Sequence, residues 1–325
     1  MAGAILIIAE VRDGVASPLT RELLGLARQL ASACACEVAA LLIAPDAGAA
    51  QDLIAHGAGR VYLCERDGAH EYEGELWLPL AEQAARDVAP IAILAGHTPA
   101  GADLAPRLAF RLQSAVAMGC TAVSFEAGKR LFTRPCYGGN LRETLSFAGA
   151  APAVATIRPG IGTVEADSVR RGEVIRVSAP QIEPRIRVIA RERDAPGAQR
   201  LEDAKIVVAG GRGLQGPEGF GALEELANIL GGAVGSSRVP CDLGWCPHSW
   251  QIGLTGKTVT PDLYVAVGIS GAGHHMAGCG NAKTIVAINT DPDAAIFREA
   301  RFGIVGDYRK IVPALAEAVR RLKKS

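Results

Sequence analysis

Short runs of aliphatic and β-branched residues recur along the chain, and most end in Gly, Ser or Asn just before an amphipathic stretch. Such runs suit strands buried on both faces, and parallel neighbours require a crossover between them. Together these features predict βαβ units and an α/β fold. The 325 residues are enough for two domains, each with a mostly parallel sheet flanked by helices.

In the first half, strands are predicted at 4–11, 37–44, 60–65, 91–96 and 119–125, with helices between them. The clearest helix starts after Ser17-Pro18, where Ser can cap and Pro suits the first helical position. From 129 to 158 the pattern changes. Segments 129–137, 142–147 and 153–158 read as short antiparallel strands, joined by turns at Gly138-Gly139 and over 149–152. Segment 191–203 is charged and contains Pro196 and Gly197, which marks it as a linker between domains at 1–190 and 204–325. A second βα series follows. Its strands are expected at 205–209, 233–237, 263–268, 284–289 and 303–306, and its helices near 218–231, 271–279 and 309–323. Such a sheet is of the Rossmann-like type, in which ligands sit outside the carboxyl ends of the strands.

Lys+Arg and Asp+Glu are both 34, so the chain lacks the basic footprint of a nucleic-acid binder. The short basic end at Arg320, Arg321, Lys323 and Lys324 suits the C-terminus of a helix. The cysteines, 8 in number, form no CxxC pair and no zinc-finger spacing with histidine. They read as small buried or partly buried residues of a reducing compartment. No apolar run approaches the roughly 18–20 residues of a membrane span. Residues 4–9 read as a first strand, without the basic start of a secretion signal. The expectation is a cytoplasmic protein without membrane insertion.

The turns after the second-series strands carry the chemistry. Gly211 to Gly216 matches G-x-G-x-x-G between a strand and a helix, where glycines let the backbone approach a pyrophosphate. An NAD site also expects an acid about 20 residues on. The second strand ends instead in Ser236-Ser237-Arg238, which argues against ordinary NAD binding; a purely structural glycine turn is the other reading. Gly256-Lys257-Thr258 looks like the end of a P-loop, but Gln251 stands where that motif needs Gly. The third strand runs into Ser270-Gly271-Ala272-Gly273-His274-His275, a second polar pocket of phosphate size. Adjacent histidines on a helix diverge by about 100° and cannot chelate together, so no metal is expected. Asn289 and Asp307 end the fourth and fifth strands. Singly they are often caps or Asx turns, but several polar strand ends on one edge favour a bound nucleotide.

These turns, with Gly235–Arg238, Gly253–Lys257, Gly268–Ala272, His275–Gly278, Ala287–Pro292 and Gly303–Asp307, occur in the order and spacing of the FAD domain of electron transfer flavoprotein α subunits. The resemblance covers about residues 204–320. The N-terminal half resembles the family more loosely, through Tyr137-Gly138-Gly139-Asn140 and Leu94-Ala95-Gly96. The resemblance implies a heterodimer with a β subunit that meets the N-terminal domain and carries AMP, or a second FAD in bifurcating members. It implies FAD in the C-terminal domain and an electron carrier rather than a substrate-converting enzyme. Electrons would come from a donor dehydrogenase and pass to an electron transfer flavoprotein–quinone oxidoreductase or other acceptor.

By the same resemblance, Arg212, Ser237 and Arg238 line the ring and phosphate side of the FAD. Ile252, Gly253, Leu254 and Thr255 run along the flavin, with the Thr255 hydroxyl near N5. Ser270, Gly271, Ala272, Gly273 and His274 cradle phosphate or ribitol, His275 faces the C2 carbonyl, and Asn289 and Asp307 hold the adenosine end. Arg238, Thr255 and His275 would tune the flavin's redox behaviour. The chain departs from the family at Leu254 and His274, where Gln is usual, and at Gly273, where a larger apolar residue is usual. Two alternatives follow: an electron-bifurcating α subunit, and a nucleotide-binding or assembly subunit without competent flavin chemistry. Trp245 and Trp250, which flank Cys246-Pro247-His248, read as packing residues, with a cover over the site as the other reading.

Overall fold

The structure is a computed structural model that describes residues 3–12, 14–66, 72–126, 128–137, 141–147, 149, 151–179, 185–186 and 200–323. The turn expected at Gly138-Gly139 and most of the expected linker lie outside these residues. The chain divides into two units. One is Met1–Cys136 with Arg142–Ala190, and the other is Tyr137–Leu141 with Arg191–Ser325.

In chain order the first unit contains β1 (Ala4–Ile8), β2 (Val11–Arg12), β3 (Val15–Ala16), α1 (Pro18–Cys34), β4 (Glu37–Ala44), α2 (Gly48–His56), β5 (Arg60–Glu65), α3 (Gly74–Val88), β6 (Ala92–Gly96) and α4 (Pro99–Arg111). β7 (Val116–Cys120), β8 (Ala122–Glu126), β9 (Lys129–Cys136), β10 (Leu141–Phe147), β11 (Ala153–Ile157) and β12 (Glu173–Arg176) follow. Strand β1 is apolar throughout and buried at every position, so it takes the middle of a parallel sheet ordered β12-β5-β4-β1-β6-β11-β7. Successive residues alternate between faces, and both faces are covered. Ile5 and Ile7 join one core with α1 and α2, and Leu6 and Ile8 join the other with α3 and α4. Helix α1 begins where its Ser-Pro start predicts, with the Ser17 hydroxyl accepting the Thr20 N–H at 3.2 Å.

Four sequence expectations are corrected in this unit. Run 4–11 breaks after Ile8, and Val11–Arg12 pairs with Val15–Ala16 as a small hairpin. Run 119–125 is two strands: β7 pairs parallel with β11, and β8 turns away to pair antiparallel with β9. Segment 153–158 is not antiparallel. β11 is apolar apart from Thr156, fully buried, and lies parallel between β6 and β7, where a strand with two buried faces belongs. Finally, Cys34 and Cys36 are joined by a disulfide rather than held as thiols. Ala35 caps α1 in the left-handed conformation (φ 51°), which brings the two Cα atoms to 5.3 Å.

The second unit contains β13 (Ile206–Gly210), α5 (Gly219–Leu230), β14 (Ala233–Ser236), α6 (Arg238–Asp242), β15 (Leu263–Val267), α7 (Gly273–Cys279), β16 (Ile285–Asn289), α8 (Ile296–Glu299), β17 (Phe302–Val305) and α9 (Tyr308–Leu322). All pairings are parallel, in the order β14-β13-β15-β16-β17. Val208, Val265 and Val267 pack under α5 and α9, while Val207, Ala209, Tyr264 and Ala266 form the core of the opposite face. In number of turns from its first strand this is the 2-1-3-4-5 order. Successive strands are added on opposite sides of β13, with β14 on one side and β15 on the other, and this switch in strand order is where open α/β sheets bind ligands.

A candidate cofactor site at the carboxyl edge of the second sheet

At the switch point the turns after β13 and β15 lie against each other. The Gly211 N–H donates to the Val267 carbonyl at 2.9 Å, and the Gly213 N–H to the Gly268 carbonyl at 3.0 Å. A Cβ on Gly211 would lie 2.2 Å from the Gly268 carbonyl oxygen, so glycine is required there for backbone contact. The glycine-rich turn therefore serves strand-to-strand packing. Arg212, at its tip, is exposed and has no ion pair among the described residues.

The next wall is built from segment 251–257 lying across the end of β14. The Ile252 N–H donates to the Ser236 carbonyl at 2.8 Å, and the Leu254 N–H to the His274 carbonyl at 2.7 Å. Gln251 Nε2 donates to Thr255 Oγ1 at 2.9 Å and closes the loop on itself. Ile252 is buried, whereas Leu254 is 48% exposed and Thr255 is exposed. Ser237 immediately precedes α6 and donates its N–H to the Gly210 carbonyl at 2.9 Å. Arg238 follows with its side chain exposed, and its Nε lies 3.0 Å from Asp242 Oδ2. Lys257 pairs with Glu202 at 3.2 Å.

The third element is the strand-to-helix turn from Ser270 to His274. Its backbone N–H groups donate to no acceptor among the described residues. Gly271 has φ +83°, and a Cβ there would lie 2.3 Å from the Ile296 nitrogen. Ser270, Ala272, Gly273 and His274 are exposed. A row of unspent amides followed by a short helix, on the same sheet edge as Arg212 after β13 and Arg238 after β14, is the donor set a pyrophosphate needs.

His275, the residue expected to face a flavin carbonyl, lies inside the domain. It is 7% exposed, and both ring nitrogens are engaged within the chain. Nδ1 lies 3.1 Å from the Ile252 carbonyl, which can only accept, so Nδ1 carries the proton. Nε2 then accepts the hydroxyl proton of Tyr264 at 2.9 Å. Burial pushes the imidazole down to about 4, so it stays neutral near pH 7. Its neighbour His274 is the exposed histidine of the pair. Neither Tyr264 nor Gln251 stands out as a site residue in the sequence. Tyr264 sits in an ordinary apolar strand pattern, and Gln251 draws notice only as the residue that spoils a P-loop.

Asn289 and Asp307 mark the far end of the edge. Asn289 Nδ2 donates to the Ile269 carbonyl at 2.9 Å, and its Oδ1 accepts the Asp291 N–H at 3.1 Å. Asp307 Oδ1 caps α9 by accepting the Arg309 N–H at 2.9 Å. Both side chains thus also perform the local structural duty that such residues often have. Trp245 and Trp250 pack against the core beneath α5, as their bulk suggests. Among the described residues no cluster of His, Cys, Asp or Glu could hold a metal ion.

Two family profiles match the chain: the electron transfer flavoprotein domain over residues 5–182, and the electron transfer flavoprotein FAD-binding domain over 200–280. The electron transfer flavoprotein subunit alpha of Thermoanaerobacterium thermosaccharolyticum is 43% identical and aligns over 98% of both chains. That of Bacillus subtilis is 40% identical over 99% of both. The protein FixB of Azotobacter vinelandii is 36% identical, over 97% of this chain and 92% of its own.

Proposed function

Since the chain belongs to the electron transfer flavoprotein α-subunit family and binds FAD, we propose that it works beside a β subunit as a one-electron relay. In this reading a donor dehydrogenase supplies the electrons and a quinone-linked or other acceptor removes them. The β subunit carries AMP or a second FAD, and the complex works in the cytoplasm. No helix among the described residues is long and apolar enough to cross a membrane. The observation that carries the proposal is the row of unspent amides at Ser270–His274 after β15, on the sheet edge where the exposed Arg212 and Arg238 follow β13 and β14.

Bound FAD supplies a ring that accepts and returns electrons singly, which these side chains cannot do. The Ser270–His274 turn holds the pyrophosphate, helped by Arg212 and Ser237. Ile252–Thr255 lies along the ring with Thr255 as the hydroxyl donor, and Asn289 and Asp307 hold the adenosine end. Arg238 places positive charge beside the ring and makes extra negative charge there tolerable without transfer of a proton. His275, neutral and anchored between Tyr264 and Ile252, acts through the loop that it holds. His274, Leu254 and Gly273 distinguish this edge from the usual family pattern. None of the site residues favours the electron-bifurcating alternative over the simple carrier.

Arg238→Ala tests the proposal. A hydrogen bond to a charged group contributes about 1.5–3 kcal/mol. At about 59 mV per tenfold change for one electron, its loss lowers the first reduction potential of the flavin by on the order of 60–130 mV. The variant is expected to retain part of its FAD and to show that shift in a spectroscopic redox titration. An unchanged first potential refutes the role given to Arg238.

A further inference from the structure

Cys241 and Cys246 hold their sulfur atoms 3.5 Å apart. The residues between them fold back tightly. The Leu243 N–H donates to the Val239 carbonyl at 3.0 Å, the Gly244 N–H to the Cys241 carbonyl at 3.0 Å and the Trp245 N–H to the Pro240 carbonyl at 2.9 Å. Gly244, at φ +71°, provides the left-handed turn that makes this possible. Cys241 is buried and its sulfur also lies 3.6 Å from the Pro247 carbonyl, while Cys246 is half-buried. Among the described residues, the other free cysteines, Cys64, Cys120, Cys136 and Cys279, have no second thiol in contact.

The sulfurs of a disulfide are about 2.05 Å apart, so the pair needs roughly 1.5 Å of approach. The turn that brings the residues together is already formed. We propose that Cys241 and Cys246 are a thiol pair that peroxide converts to an intramolecular disulfide without unfolding of the domain. The two sulfurs have different parts. Burial, with Cys246 beside it, pushes the Cys241 thiol up to about 12, so it is the poorer first nucleophile. Cys246 is the accessible member. Its sulfur attacks one oxygen of hydrogen peroxide, the O–O bond breaks, and the products are a sulfenic acid and one water. The Cys241 sulfur then attacks the Cys246 sulfur. The S–S bond forms as the S–O bond breaks, and the hydroxyl leaves as a second water with the proton of Cys241. The net change is two thiols and one peroxide to one disulfide and two waters.

The bond would tie α6, whose first residue is Arg238, to the segment that leads into Ile252. The thiol state of the pair thereby acts on the elements that border the cofactor edge. The chemistry of the pair does not depend on what that edge binds, so failure of this inference leaves the flavin assignment intact.

The test uses the intact heterodimer, reduced, freed of reductant and treated with hydrogen peroxide. Remaining thiols are then alkylated, and the protein is digested without reduction for mass spectrometry. The expected product is a peptide linking 241 and 246, lighter by two hydrogens and reopened by dithiothreitol. In Cys241→Ser, the oxidised Cys246 should be trapped by dimedone as a sulfenic acid. In Cys246→Ser, and in Cys246→Ala as a second variant, Cys241 should remain fully alkylatable. Complete alkylation of both wild-type thiols after peroxide overturns the inference. So does a dimedone adduct on wild-type Cys246 with no cross-link to Cys241.

Discussion

Replacing Tyr264 by Phe isolates the contact that anchors the His275 ring at Nε2. The ring stays the same size and Tyr264 is 0% exposed, so packing changes little. What is lost is the hydroxyl that donates to His275 Nε2 at 2.9 Å. A buried acceptor left without a donor costs about 1–3 kcal/mol. His275 Nδ1 donates to the Ile252 carbonyl, so a looser imidazole also loosens the loop that lies along the flavin. The variant should therefore release FAD at lower urea concentration than wild type, read by the rise in flavin fluorescence. The loss of that donor also removes a contact that favours the neutral ring, so the pKa of His275 should rise from about 4 toward the usual value. Hydrogen exchange at the imidazole C2 position, followed by mass spectrometry across pH, reads this directly. Superimposable urea curves and an unshifted His275 profile would refute the reasoning, because the bond would then hold neither ring nor loop.

Gly271→Ala should be severe. The backbone there has φ +83° and a Cβ meets the Ile296 nitrogen at 2.3 Å, so either the turn or α8 must shift. A thermal midpoint lowered by several degrees together with loss of bound FAD is expected, and a wild-type midpoint with full FAD would contradict the geometry. Stability should also fall in acid. Burial holds His275 at about 4 while the unfolded imidazole titrates near 6.5, so the unfolded chain takes up the proton first as pH drops. The contribution is fully present above pH 6.5 and is lost between there and pH 4, on the order of 2–3 kcal/mol. His97, lowered to about 4 by burial and by the nearby Arg158 charge, acts in the same direction in the first unit. Urea midpoints measured from pH 7.5 to 4.5 check this, and a flat profile would contradict both assignments.

The strands of the second sheet were legible in the sequence because each is an apolar run closed by small residues, and β13, β15 and β16 lie close to where the pattern puts them. The first sheet was less so. β11 follows a stretch of true antiparallel strands, and local pattern does not say that the chain re-enters the parallel sheet there. The edge strand β12 is four residues long, with only Val174 and Ile175 apolar between Glu173 and Arg176, too little signal to stand out. At the site, the loop tips were legible through their glycines and polar ends. The orientation of His275 was not, since its donor, Tyr264, comes from within β15 and its acceptor is a backbone carbonyl twenty-three residues away. The contact between Cys241 and Cys246 was hidden likewise, because it depends on the left-handed turn at Gly244.

Amide hydrogen exchange on the heterodimer, with FAD bound and after its removal, gives the most direct test of where the cofactor lies. Protection on FAD binding should concentrate at 210–213, 236–238, 252–256 and 268–274, and be strongest at the unspent amides of Ser270–His274. Unchanged exchange across those four segments, with protection confined to the first unit, would contradict the account.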